Sequence, residues 1–204
     1  MKRLAIFLSL LLIGVTPSVA APKSVVVKKL TLVAVNQGAE KLVISGKTLV
    51  TVGNTDGINS NILLTGLDIN GVQLWQKTID SGADEVALAA ATDAAGNIWL
   101  AGASSPVAAS ESATAPIQAE NPDGVVVEPI SKIRSDMNLL TIWKISTAGD
   151  LIATYSSAHI APALINGISV NSTGVSVVGR SQGKPFIQSV SAQGTFGKLI
   201  SIGT

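Results

Sequence analysis

Residues 61–105 read NILLTGLDINGVQLWQKTIDSGADEVALAAATDAAGNIWLAGASS. Two short turns punctuate this stretch, Asp68-Ile69-Asn70-Gly71 and Asp93-Ala94-Ala95-Gly96, each between apolar runs. An Asp, Asn or Ser in first place accepts hydrogen bonds from the turn backbone, and a Gly in fourth place takes positive φ where the chain reverses. The same turn recurs at Ser146-Thr147-Ala148-Gly149, Asn171-Ser172-Thr173-Gly174 and Ser191-Ala192-Gln193-Gly194. Gly71 to Gly96 is 25 residues, and Gly149 to Gly174 is again 25. A turn repeated at fixed spacing between short apolar runs marks a chain of strand hairpins.

The runs between turns are four to eight residues of Val, Ile, Leu and Thr, and none holds a helical period over three turns, so the reading is all-β. Several are continuous rather than alternating, such as Ile98-Trp99-Leu100-Ala101 and Val175 to Val178, as strands buried on both faces are. A second recurrent feature ends three of them: Gly53-Asn54-Thr55, Gly102-Ala103-Ser104 and Gly179-Arg180-Ser181. Aligning on both features predicts a propeller-like stack of about three four-stranded antiparallel blades, fewer than a closed ring of about four to eight needs, so the expectation is an incomplete propeller: part of a longer ancestor, completed by another subunit, or packed as an open stack. The blades cover residues 41–80, 84–157 and 162–203. Their strands are expected near 41–45, 48–53, 61–67, 72–79, 85–92, 97–102, 138–145, 150–156, 162–170, 175–179, 185–190 and 196–202. An eleven-residue apolar segment, Val25 to Val35, precedes them with an edge-like Lys28-Lys29 interruption. The second blade carries an insertion, 104–136, that opens rich in Ala, Ser and Pro and reads as a loop. Within it, Gly124 to Ile130 is a candidate short edge strand, since Pro129 bars a central one.

Residues 1–20 read as a signal peptide. Met1-Lys2-Arg3 is basic, Leu4 to Val15 is an apolar run of twelve, and Ser18-Val19-Ala20 offers small residues for cleavage after Ala20. The run is too short to span a bilayer, so no membrane span is expected after cleavage. Without Lys2 and Arg3 the basic residues fall from 14 to 12 against 13 acidic ones, a net charge of −1. No basic stripe follows, which argues against nucleic acid as a partner. The chain has no cysteine, excluding disulfides, thiolate metal sites, Cys nucleophiles and an N-terminal lipid anchor on Cys. An exported chain that relies on packing alone fits bacterial secretion, to the cell envelope or the outside.

Leu67-Asp68 before Gly71, Leu74-Trp75 after it, Asp93-Ala94-Ala95-Gly96-Asn97 and Ala101-Gly102-Ala103-Ser104 carry a family likeness. The stretch resembles the bacterial β-propeller repeat known as SBBP, and more distantly NHL and quinoprotein-type blades. A second copy, Leu139 to Gly183, keeps the turns and Gly179-Arg180-Ser181; it has Ile152-Ala153 where the first has Trp, and Asn171 for Asp93. A third copy keeps Gly194. The resemblance implies four-stranded blades in a secreted or surface-exposed protein. It implies no single activity, because one scaffold serves many functions.

Chemistry-bearing residues are few. His159 is the one histidine, with no Gly-x-Ser-x-Gly elbow to make a triad, and reads as an ordinary loop residue. Gly46-Lys47-Thr48 mimics the end of a phosphate loop, but Lys41 stands where the earlier Gly belongs and a strand follows. Asp80, Asp84 and Glu85 fall in one inter-blade loop, where paired carboxylates would suit acid–base work or a hard cation; a solvated loop is the expectation. Asn54, Asp56, Asn59 and Asn61 make a second oxygen-rich loop without the closing Glu of a calcium loop. The six aromatics after residue 20, Trp75, Trp99, Trp143, Tyr155, Phe186 and Phe196, all fall in expected strands, which speaks against exposed stacking platforms. No catalytic, cofactor or metal residue is assigned.

The functional expectation is an exported, non-enzymatic scaffold that binds a protein or cell-envelope ligand through its loops, with self-association through open sheet ends. The alternative is a propeller-class enzyme, a lyase, hydrolase or quinoprotein fragment, with its site at a blade-end face. A hollow gathering Asp80, Asp84 or His159 would favour the enzyme; scattered acids would favour the scaffold.

Overall fold

The computed structural model describes residues 37–55, 60–106, 133–159 and 162–203. Residues 1–20, Val25–Val35 and the interior of the insertion with Gly124–Ile130 lie outside them. The described residues form three four-stranded antiparallel sheets and no helix. The first sheet is β1 (Gln37–Ser45), β2 (Thr48–Thr55), β3 (Ile62–Leu67) and β4 (Gln73–Ile79). The second is β5 (Glu85–Thr92), β6 (Ile98–Ser104), β7 (Leu139–Ile145) and β8 (Leu151–Ala158). The third is β9 (Ala163–Asn171), β10 (Gly174–Ser181), β11 (Lys184–Ser191) and β12 (Ile200–Ser201). Each sheet is a plain meander in which neighbours in sequence are neighbours in space.

Both repeated sequence features have a physical job. The five turn glycines all have positive φ, from 80° at Gly71 to 144° at Gly174. The first residue of each turn accepts the backbone bonds expected of it: Asp68 Oδ1 from the Asn70 and Val72 amides, both at 2.8 Å, and Asp93 Oδ1 from those of Ala95 and Asn97 at 3.0 and 2.8 Å. The glycines that end β2, β6 and β10 sit at a different device. In each sheet the pairing of the first two strands slips by one residue beside them, at Ala39/Lys41, Ala87/Ala89 and Val178/Gly179. The slip presses the first strand's backbone onto the glycine, and a Cβ on Gly102 would overlap the Val86 carbonyl.

The sheets stack through their first strands, with β1 on one side of β5 and β9 on the other. Val50, Val52, Ile62 and Leu64 of the first sheet meet Ile98, Leu100, Trp143 and Ile145 of the second in one core. Ala101, Leu140 and Ile142, on the opposite face of the second sheet, meet Ile165, Val175, Val177 and Phe186 of the third. The middle sheet is therefore buried on both faces, which is why β6 buries all seven of its residues and reads as a continuous apolar run. The sheets form an open stack and do not close into a ring.

One expected strand is much shorter. The last was placed at 196–202, but β12 is the two residues Ile200–Ser201, and Phe196 makes a single bridge to Val190. Gly197 explains the gap: its amide bonds the Ser189 carbonyl at 2.8 Å while the chain between bulges out of the ladder.

Candidate functional site

The meander sorts the connections into two ends. The five repeated turns follow odd-numbered strands and lie at one end, where Ser45 Oγ in the first sheet donates to Gly96 O in the second at 2.6 Å. The inter-sheet linkers, the insertion and the Ser181–Lys184 hairpin follow even-numbered strands and lie at the other. The described Asn, acidic and His residues singled out from the sequence belong to this loop end, Asn54, Asn61, Asp80, Asp84, Glu85 and His159, while Gly46-Lys47-Thr48 forms the β1–β2 turn at the other. Asp56 and Asn59 lie outside the described residues.

The loop end holds two separate arrangements. At the junction of the first and second sheets, the acids expected in a solvated loop are mostly buried. Asp84 is 0% exposed and Glu85 1%. Asp84 Oδ1 accepts the Ser60 amide at 2.8 Å, and Oδ2 accepts Arg134 Nη2 at 2.7 Å. Arg134 also forks onto Asp136, with Nε–Oδ1 at 3.1 Å and Nη2–Oδ2 at 2.9 Å. These bonds raise the guanidinium pKa against the opposing effect of burial, so it stays charged. Arg134 ties the far end of the insertion to the linker between sheets, a partnership that its place in an insertion gave no signal of. Glu85 faces differently. Its Oε1 accepts both the amide and the hydroxyl of Ser81, while Oε2 is buried without a partner. Burial pushes its carboxyl pKa up against the Ser81 bonds, with the charges of Asp80 and Asp84 adding to the rise. Asp80 is exposed and caps the Gly82 amide at 2.9 Å. The three acids thus occupy three environments, with Glu85 still feeling the charges of the other two.

Asn54 also changes meaning. It is fully buried, and its side-chain amide donates to Ala87 O at 3.0 Å and accepts from Ala87 N at 2.8 Å. That residue sits where β5 slips register, so Asn54 supplies from the first sheet the partner that the ladder of the second cannot. Among the described residues no three His, Cys, Asp or Glu side chains gather as metal ligands.

At the junction of the second and third sheets lies a hollow of about 330 Å³. Ser157 and His159 at the end of β8 form one wall; Lys184, Phe186 and Gln188 of β11 form the other, with Leu199 and Ser201 closing the side. The Gln182-Gly183 turn stands at its rim, both residues at positive φ (51° and 74°), as a two-residue hairpin requires. His159 tilts against Phe186 with ring centroids 5.9 Å apart. Burial lowers its pKa, and a side-chain hydrogen bond to Gln188 offsets part of that. Gln188 is 6% exposed; its Nε2 donates to Gly197 O at 2.9 Å, which turns Oε1, itself buried, toward the His159 ring. Among the described residues no carboxylate lines the hollow, and His159 is not brought to Asp80 or Asp84. His159 was legible in sequence as the one histidine; Lys184 and Gln188 are ordinary strand residues there, with no motif to mark them.

Two of the aromatics are inter-blade staples. Trp75 lies on the turn glycine of the next sheet, Gly149, where a Cβ would meet the ring at 2.6 Å. Tyr155 covers Gly194 of the third sheet in the same way. The sequence copy that replaces Trp75 by Ala153 therefore keeps the staple, moved two residues along its strand.

No protein-family model and no curated protein matches the chain. Among solved structures, it is similar to a protein of unknown function from Bacteroides caccae determined at 1.35 Å resolution. That likeness has a TM-score of 0.47 and 9% identity, and covers 82% of this chain and 47% of the other. The chain thus spans about half the length of that structure.

Proposed function

We propose that the chain is an exported, non-enzymatic scaffold of SBBP-like blades that binds a cell-envelope ligand through its loop end. The observation that carries this reading is the fate of the candidate acids. Asp84 is neutralised by Arg134 in a strut between sheets, Glu85 is buried beside Ser81, and His159 lies in another hollow with no carboxylate. An acid–base enzyme needs its groups within reach of one reacting atom. The lyase, hydrolase or quinoprotein alternative accordingly ranks second. Loops gathered at one end of a rigid stack suit recognition, because the sheets hold them at fixed separation. The order of residues 1–20 supports export, and N-terminal sequencing of the secreted protein should begin at Ala21.

The test is co-sedimentation of purified residues 21–204 with washed envelope fragments of the source cell. Saturable binding is expected, weakened by Asp80→Arg at the loop end and unchanged by Asn70→Arg at the turn end. Absence of binding, or equal sensitivity at both ends, would overturn the reading.

A further inference from the structure

We propose that two copies of the chain join head to tail, the first sheet of each on the third sheet of the other, and close a ring of sheets. This pairing is independent of the envelope-binding reading. The three sheets share positions that can be counted from Gly53, Gly102 and Gly179, the glycines beside the register slips. The partner of the residue two before that glycine is Leu42 in the first sheet, Ala90 in the second and Ile168 in the third. Ala90 packs on the core shared with the first sheet, and Ile168 on the core shared with the second. Leu42 is exposed, and so is Ile44, whose match in the third sheet, Val170, also packs on a core. The first sheet thus carries the side chains of one more inter-sheet core.

The third sheet carries the other half. One residue before the glycine, the cross-strand pairs are Val52 with Leu64, Ala101 with Ile142, and Val178 with Ile187. The first two pairs lie in inter-sheet cores, while Val178 is exposed. Its row runs on to exposed Ile200, which holds the place of Tyr155, the ring that covers the turn glycine of the following sheet. The neighbouring serine row is small and leaves a hollow of about 280 Å³ beside Ser176 and Ser189. Bulk on the first face answers it, with Leu42 and Ile44 where the second sheet has Ala90 and Thr92. Charge agrees. Asn54, which reaches the slip of β5, is matched by Arg180 in the third sheet, and the slip of β1 holds Glu40. First on third therefore repeats a contact the chain already makes twice; first on first repeats none. The sheets meet along their first strands, so each step turns about that line, and repetition comes back on itself rather than running on as a fibre. Two copies of three sheets make six, within the about four to eight that close a ring, and three copies exceed it. Both loop ends then lie on one face of the ring.

Blocking the two faces separately tests the pairing. Leu42→Asp with Ile44→Asp blocks the first face, and Val178→Asp with Ile200→Asp the third. By light scattering, residues 21–204 should run as two chains and grow no larger with concentration. Each double variant alone should be a monomer, because every contact of the ring uses one face of each kind. An equimolar mixture should recover a dimer through the one intact pair of faces, weaker than the parent for want of the second contact. A monomeric or fibrous parent, a third-face variant that stays dimeric, or a mixture that stays monomeric would each overturn the proposal. Should an Asp variant fail to fold, cross-linking decides, since the chain has no cysteine of its own. A short bismaleimide should join Leu42→Cys to Val178→Cys in a mixture and neither variant to itself. Joining of Leu42→Cys to itself, or no mixed product, would equally overturn it.

Discussion

A glycine at a turn and a glycine under an aromatic ring are different constraints, and Gly149 carries both. Its φ of 86° strains any L-residue, and the Trp75 ring fills the space where a Cβ would go. Gly149→Ala should destabilise the chain by about 1–3 kcal/mol in urea unfolding. In a Trp75→Leu background the same substitution should cost less, since the ring clash is gone and the φ strain remains. Glu85 gives a prediction of the opposite sign. Its folded pKa is raised, so the folded state binds more protons than the unfolded state between the ordinary glutamate pKa and the raised one. Stability from this group is present at low pH and lost as pH rises through that window. Glu85→Gln removes the buried charge, and its melting temperature relative to the parent should climb as pH rises above the ordinary glutamate value of about 4.3. A difference that is flat with pH would show that Glu85 titrates as an exposed carboxylate does.

The linker between β4 and β5 is the element on which the loop end depends. Asp84 bonds the β2–β3 loop through the Ser60 amide, the residues after β6 through Ser105 Oγ at 3.0 Å, and the residues before β7 through Arg134. Removing one partner of a buried pair strands the other charge. Arg134→Met should therefore cost about 3–5 kcal/mol, and Asp84→Asn with Arg134→Met should recover part of that. Guanidinium melts of the two variants would check it, the single mutant being the less stable. The same loss should raise hydrogen exchange at the Ser60 and Glu85 amides, whose acceptors are Asp84 Oδ1 and Ser60 O.

An open stack has two terminal faces, and they are not alike. In the middle sheet the cross-strand row facing the third sheet is Ala91, Trp99 and Lys144, with Lys144 Nζ 4.8 Å from the Trp99 ring centroid. The matching row of the third sheet is Ser169, Ser176 and Ser189, a polar substitution of the kind that ends a repeat array, although the next row of that face, Val178, Ile187 and Ile200, stays apolar with Val178 41% exposed. Leu42 and Ile44 on β1, at 62% and 63% exposed, have no such substitution, and Ile200 and Ile202 are exposed at the other end. We expect residues 21–204 to self-associate, with the first sheet supplying most of the contact. Light scattering at high micromolar concentration should report more than a monomer, and Leu42→Asp with Ile44→Asp should dissociate it. A monomeric parent would mean that the first face is satisfied within the chain.

Much of the fold is legible in the chain because it is local. Turn chemistry repeats at fixed spacing, apolar runs have strand length, and a meander needs no long-range information to order its strands, so eleven of the twelve strands fall near their expected places. The exception, β12, depends on how Gly197 is held by Ser189, which spacing does not encode. The site was legible only as a set of residue types. Whether Asp84 is a solvated acid or a buried strut depends on Arg134, fifty positions away, and the burial of Gln188 depends on Gly197 and on His159 at the end of β8. Strand periodicity comes from neighbours in sequence; burial, charge pairing and the hollow come from which sheet lies against which, and only the tertiary structure decides that.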